Sequence, residues 1–543
     1  RLWVTPTSIL WSPGTEMAAK PPTTIQRRIV VAAGICVLAF SIIGIRLVDL
    51  ALLKSRESVA VAGNGAETEI VRADIVDRNG RLLARDLPVY DLYVRPHVFW
   101  DKAEAAHGLA QVTGVSEARL ARAFAGKHNY VLVASQITPE TRDRVMSLGL
   151  PGMEFEPSTK RFYPEGDASQ VIGMTQAVSG GRGIAGIEKG LNAQLAAGKR
   201  VQLSLDMRVQ YALLHSLEMT RAKYNAKAAG GIVLNVNTGE ILAMASQQDP
   251  KAPDYNPTRN IMAANDYELG SVFKIFAFAL ALEDHRITFD TTFPVGSGFK
   301  VGKYTIHDAE RMPAVMAAKD ILAESSNAGT AQIALLSGPD RQRAWLTSLG
   351  LLASTRTEIP ERARPLYPSN WGQVETATIG FGHGISVTPL AFVTAAATVV
   401  NGGRRIQPTF LKQDGDRRGD QVLKPETSLK MRELLRYVVT DGTGKNADIP
   451  GYDVGGKTGS AEKNAGGRYI AHKLLTSFCA VFPIDNPRYL VFVMLDEPHG
   501  ESAVMALAGH TAAPLAGDVI AHIAPMLEMP NTAAVPVPSK GNS

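Results

Sequence analysis

The sequence predicts an α+β protein set behind a separate N-terminal module and a single membrane anchor. Three observations carry that expectation. Two apolar hairpins bracket the C-terminal half with mostly helical segments between them, residues 54–225 differ from that half in texture, and seventeen consecutive positions near the N-terminus carry no charge. Strands drawn from both ends of a domain, with helices in between, make an α+β arrangement, here expected as a mixed sheet. At 543 residues the chain exceeds what one ordinary core accommodates.

The uncharged run is IVVAAGICVLAFSIIGI, residues 29–45, and RLVDLALL carries its apolar character past Arg46 and Asp49 to 53. That length suits one spanning helix over 29–53. Lys20, Arg27 and Arg28 precede it, which keeps residues 1–28 cytoplasmic and sends everything after 54 across the membrane. A cleaved signal peptide is the competing expectation, but the nearby Ala60-Val61-Ala62 lies well beyond the apolar core and behind several charges. Met17 is a candidate start of translation, which would leave residues 1–16 outside the protein.

A composition that is 45% hydrophobic and 20% charged is globular rather than disordered. The net charge of +5 comes without a basic block, so no nucleic-acid partner is expected. Cys36 falls in the anchor and Cys479 in a predicted core strand, which excludes a disulfide framework and a thiolate metal cluster. The eleven histidines, His307, His383 and His510 among them, show no ligand spacing, so neither metal nor cofactor is expected.

Within 54–225, VRADIVDRNGRLLARD reads as two strands around an Asn79-Gly80 turn. KRFYPEGDASQVIGMT and GIAGIEKGLNAQLAAGK follow, without heptads, repeats or a catalytic constellation. The second domain, 226–528, opens with GGIVLNVNTGEILAMAS, a hairpin about Asn237, Thr238 and Gly239. It closes with TSFCAVFPIDNPRYLVFVMLDEP, a hairpin turning at Asp485, Asn486 and Pro487. The Pro-rich tail, 529–543, is expected to be disordered.

Three short stretches of the second domain carry chemistry. In ELGSVFKIFAFALALED, Ser271 opens an expected core helix whose apolar run holds one charge, Lys274. Positions 271 and 274 share a helix face, and burial lowers a lysine's affinity for its proton, so a serine nucleophile with a lysine base is one reading. Ser-x-x-Lys by itself is weak evidence, since Ser297 and Ser460 also begin such tetrads. Ser325 and Asn327 stand where one helical run breaks and another begins; they present a hydroxyl and an amide to a cleft, or simply cap a helix. In GGKTGSAEK, Lys457, Thr458 and Ser460 suit a carboxylate and Gly459 allows close backbone approach, or the stretch is a polar edge turn.

The order Ser-x-x-Lys, Ser-x-Asn, Lys-Thr-Gly resembles that of penicillin-binding proteins and serine β-lactamases. RADIVDRNG, RFYPEG and GIAGIEKGLN resemble the N-terminal-module motifs of the class B penicillin-binding proteins, and GFGHGISVTPL (380–390) their glycine-rich segment. Ala73, where that family usually has glycine, and Leu269, where proline often stands, are departures that touch loop geometry. The short head, single anchor and overall length look most like the division-specific branch, with the elongation branch as nearest rival.

The resemblance implies an antiparallel sheet flanked by helices and a D,D-transpeptidase of the bacterial inner membrane, its catalytic domain periplasmic. Peptidoglycan stem peptides would be the substrates and β-lactams covalent inhibitors. It implies Ser271 as nucleophile, Lys274 as base, Ser325 and Lys457 as proton relay, and Asn327 as aligner of the substrate amide. Thr458, Gly459 and Ser460 would hold the substrate end. No glycan-polymerising module is recognisable in the sequence, so the resemblance implies an FtsW-like membrane glycosyltransferase and other division proteins as partners.

Overall fold

The computed structural model describes residues 71–465 and 468–532, together with Leu38 and Ser41. The chain divides into two units, Arg1–Glu69 and Ile70–Ser543. Among the described residues no helix is long and apolar enough to cross a membrane. The anchor expected at 29–53 lies outside them apart from Leu38 and Ser41.

The N-terminal module is built on one long strand. β1 (Ile75–Val76) turns at Asn79-Gly80 into β2 (Leu82–Val94), which pairs antiparallel with β3 (Val131–Ile137) and β4 (Met153–Phe162). The turn closes because the Asp77 carboxylate accepts from the backbone N–H of Asn79 and of Arg81, both at 2.8 Å, while Gly80 takes the left-handed φ of +89°. β5 (Val201–Gln202) adds to β1 in parallel. Helices α1 (Lys102–Thr113), α2 (Glu117–Ala125) and α3 (Pro139–Met146) cover β2 and β3 over a core containing Leu92, Leu109, Phe124 and Val145.

The three motif blocks of this module converge. Arg72 from the first and Arg161 from the second both pair with Glu188 of the third, at 2.6 and 2.7 Å, and Glu188 is completely buried. Arg161 also reaches Asp86 at 3.2 Å. Ala73, the departure from the family pattern, is nearly buried, and its N–H donates to Leu195 at 3.0 Å. The glycines around Glu188 are demanded by space, since a Cβ at Gly183 would stand 1.9 Å from the Glu188 carbonyl oxygen.

The second domain is organised by a five-stranded sheet. β6 (Ala228–Asn235) and β7 (Ile241–Gln248) form the predicted first hairpin. Two short pairs follow, β8 (Thr292–Pro294) with β11 (Val315–Ala317) and β9 (Phe299–Val301) with β10 (Tyr304–Ile306). The sheet is completed by β12 (Gly455–Ala465), β13 (Arg468–Phe482) and β14 (Tyr489–Asp496), in the order β12-β13-β14-β6-β7. Every pair in it is antiparallel, so the mixed sheet expected from strand positions is corrected. Both hairpins are antiparallel by construction, and β14 meets β6 antiparallel as well, so no parallel crossover enters the sheet.

Alternate residues of these strands serve two cores. Ile232, Leu234, Leu490, Phe492 and Met494 face one cluster, and Val233, Val491, Val493 and Leu495 face the other. Helix α4 (Met207–Lys223), which texture alone groups with the N-terminal module, buries Val209, Leu213 and Leu217 in the second cluster beside α11 (Ala512–Met526). The opposite face carries α5 (Lys274–Glu283) and α9 (Pro389–Val400), with α6 (Ala318–Ala323), α7 (Asn327–Leu335), α8 (Gln373–Gly380) and α10 (Pro425–Thr440) around them. The tail expected to be disordered from 529 is ordered to 532, because Met529 is buried and the Thr532 N–H donates to Gly451 at 3.0 Å; residues 533–543 lie outside the described ones.

Candidate active site

The chain enters α5 through a tight 3-10 turn, Gly270–Phe273. The α-helix expected from Ser271 therefore starts at Lys274. Two features enforce the turn: Gly270 adopts φ +60°, and a Cβ there would stand 2.9 Å from Ala461 Cβ and 3.1 Å from the Ser460 carbonyl oxygen. With three residues per turn, positions i and i+3 eclipse, so Ser271 and Lys274 lie on one line. The α5 sequence is apolar on every side, and its helix takes Lys274 into the interior, where it has no exposure to solvent.

Lys274 Nζ donates to the carbonyl oxygen of Ser325 at 2.5 Å and to its hydroxyl at 3.2 Å. Among the described residues, none of the Lys274 hydrogen bonds goes to Ser271, which is half-buried beside it. Ser325 sits in the break between α6 and α7 with φ +62°, a left-handed conformation uncommon outside glycine. The capping expected at this break falls to its neighbour: Ser326 Oγ accepts from the Gly329 N–H at 3.0 Å. That leaves the Ser325 hydroxyl to the lysines. Asn327 is the first residue of α7 and is half-buried.

Lys457, Thr458, Gly459 and Ser460 lie on β12, at the edge of the sheet, rather than in a turn. The ladder to β13 runs continuously from Gly455 to Glu462, and its hydrogen bonds override the turn propensity of the glycines. Lys457 is fully buried, and its Nζ donates to Ser325 Oγ at 2.9 Å and to the Thr458 carbonyl oxygen at 3.1 Å. One hydroxyl thus stands between two buried amines. Gly459 is where the Gly270–Phe273 turn meets the strand, because a Cβ there would lie 2.6 Å from Ser477 Oγ and 2.8 Å from the Leu269 carbonyl oxygen. Leu269, the second departure from the family pattern, is buried here. Thr458 Oγ1 shares a 2.7 Å hydrogen bond with Thr443 Oγ1, and Ser460 Oγ accepts from the Ala508 N–H at 3.1 Å.

The glycine-rich segment packs on the same turn: a Cβ at Gly382 would meet the Gly270 carbonyl oxygen at 2.1 Å. Next to it, His383 stacks on Tyr469, whose hydroxyl donates to Glu268 at 2.9 Å. A groove of about 590 Å³ continues past this corner between Tyr267, Glu268, Tyr367, Ser386 and Glu462. Sequence reasoning missed Thr443 and Asp308. The signal for Thr443 is its place in DGTGK, a glycine-flanked turn ahead of the third motif; Asp308 has none.

Burial sets the electrostatics. It holds the Lys274 amine well below the ordinary lysine range, the charge of Lys457 pushes the same way, and Asp308 opposes both. Burial lowers Lys457 to about 7, against the pull of Glu324. His383 falls to about 4 through burial and the neighbouring Lys274. Amines in that state accept protons near neutrality.

A serine at the head of a buried helix, a desolvated lysine one turn on, and a second hydroxyl between two amines define a serine acyl-transferring enzyme. The chain belongs to the penicillin-binding transpeptidase family, as class B: residues 229–521 match the penicillin binding protein transpeptidase domain and 68–203 the penicillin-binding protein dimerisation domain. It is 39% identical to the probable peptidoglycan D,D-transpeptidase FtsI of Caulobacter vibrioides, over 94% of this chain and 90% of that protein. Stage V sporulation protein D of Bacillus subtilis is 28% identical, with 93% and 86% covered. Among solved structures, penicillin binding protein 3 from Mycobacterium tuberculosis complexed with aztreonam superposes with a TM-score of 0.66 at 26% identity, covering 85% of this chain and 97% of that one.

Proposed function

We propose that the chain crosslinks peptidoglycan stem peptides through an acyl-enzyme on Ser271, in septal wall synthesis. The observation that carries the reading is the meeting of Lys274 and Lys457, from segments far apart in the chain, on the hydroxyl of Ser325, with Lys274 one turn after Ser271. Ser271 Oγ attacks the penultimate D-Ala carbonyl as Lys274 takes its proton. The Ser325 hydroxyl, with Lys457 behind it, passes a proton to the departing D-Ala amine, and Asn327 aligns the substrate amide. Close packing of the 269–270 backbone on 459–460 supports an oxyanion site between the N–H groups of Ser271 and Ser460; losing one such donor typically costs roughly a hundredfold in rate. Thr458 and Ser460 hold the terminal carboxylate. The amine of a second stem peptide then attacks the acyl-enzyme and forms the crosslink.

Septal work is supported by the similarity to a relative named FtsI. The uncharged run at 29–45 behind a basic head supports an anchor in the inner membrane with the catalytic domain periplasmic. An FtsW-like glycosyltransferase would supply the glycan strands, with division proteins alongside. The activity is tested with purified full chain, a pentapeptide stem and an amine acceptor: D-Ala release and crosslinked product are expected from the wild type and neither from Ser271→Ala. Product formation by that variant would remove Ser271 from the role. Depletion in cells tests the role in division, for which filaments are expected, whereas rounded cells would place the enzyme in elongation.

A further inference from the structure

The Ser325 turn is held from outside by a residue that belongs to none of the three motifs. Asp308 follows β10, and its half-buried carboxylate collects three donors from the start of α7: the Ser326 hydroxyl at 2.8 Å, the Ala328 N–H at 3.1 Å, and the Asn327 N–H. Those amides are free at a helix start, and an anion there is favoured by the helix dipole. Ser326 Oγ meanwhile accepts from the Gly329 N–H, so Asp308 and Ser326 together satisfy the whole first turn of α7. The Ser326 N–H closes the other side by donating to Ile321 at 2.9 Å. Ser325 is left in the left-handed conformation, which is strained for a residue with a side chain and persists only where its surroundings impose it. In that conformation its carbonyl and hydroxyl both meet Lys274.

We infer that Asp308 is a positioning residue of the transpeptidase site: it fixes the Ser325–Asn327 turn on the two lysines and sets a negative charge beside the turn that Lys274 contacts. The inference rests on the function proposed above. The charged and titratable groups facing the Lys274 amine are Lys457 from β12, His383 from the glycine-rich segment, and Asp308; Glu324 acts on Lys457. Asp308 is the carboxylate that favours the protonated Lys274.

The two contributions separate in a pair of substitutions. Asp308→Asn keeps an oxygen for the Asn327 and Ala328 amides and removes the charge, whereas Asp308→Ala removes both. Acylation by a fluorescent penicillin is followed by stopped flow from pH 5 to 9 on the full chain in detergent, with thermal unfolding of each variant measured beside it. Asp308→Ala is expected to lose roughly tenfold or more in acylation rate at every pH, beyond any loss of folded protein. Asp308→Asn is expected to recover most of that rate above pH 8, with the acid limb moved down by about one unit, because the amine then keeps its proton less well. Wild-type rates and an unmoved acid limb in both variants would overturn the inference, as would a loss that merely follows the folded fraction. No acylation of the wild type would remove the proposed function itself, and the inference with it.

Discussion

Lys274 and Lys457 are both fully buried and both donate to one hydroxyl, so they titrate as a pair whose apparent values belong to neither alone. Two ammonium groups sharing one site repel, and desolvation penalises each, so acidification must load protons the site resists. The base form of Lys274 therefore persists at neutral pH and disappears as pH falls through the pair's lower apparent value. Acylation by penicillin is expected to slow on that acid limb and to reach a plateau above about pH 7 to 8, read by stopped flow; a rate that rises only toward pH 10 would mean ordinary exposed lysines. Lys457→Arg keeps the positive charge but cannot become neutral, and is expected to lower acylation about a hundredfold or more at all these pH values. At this scale the sequence was informative where chemistry is local. Lys274 shows itself as the one charge in an apolar run and Thr443 as a glycine-flanked threonine, while Asp308 looks like any loop residue because its partners lie elsewhere in the chain.

The Gly270–Phe273 turn and β12 are brought together by glycines that have no room for a side chain. A methyl at Gly459 would meet the Leu269 carbonyl oxygen and Val272 as well as Ser477 Oγ, and two of those residues frame Ser271. Gly459→Ala is expected to push the turn off the strand. Displacement of an ångström at a reacting group costs on the order of a hundredfold, so the acylation rate falls much further than the unfolding midpoint; a variant with wild-type acylation would mean that turn and strand are not so coupled. The apolar hairpins β6-β7 and β13-β14 were legible from their composition and turn residues. β12 was not, because GGKTGSAEK has neither alternation nor β-branched weight and becomes a strand only by pairing with β13. The 3-10 entry to α5 was hidden for a related reason, since the close approach of residues 460–461 and Gly382 imposes it from outside the segment.

Across the whole molecule, the N-terminal module is tied together by ion pairs that its three motif blocks bring from distant positions. Glu188 neutralises two arginines from a position with no exposure to solvent. Glu188→Ala would strand both cations and is expected to destabilise the fold by about 3 to 5 kcal/mol, measured by denaturant unfolding of the full chain; a loss under 1 kcal/mol would mean the pairs are not stabilising. Domain texture in the sequence grouped α4 with the N-terminal module, whereas its apolar face packs in the second core, because an amphipathic helix between domains does not announce which core its apolar face will join. The measurement that tests the central claim most directly is peptide mapping by mass spectrometry after reaction of the folded chain with penicillin. A single adduct on Ser271, abolished by Lys274→Ala, is the predicted result. An adduct on Ser325 or Ser460, or one on Ser271 that forms at the wild-type rate without the lysine, would contradict an active site in which a buried amine deprotonates the serine one turn before it.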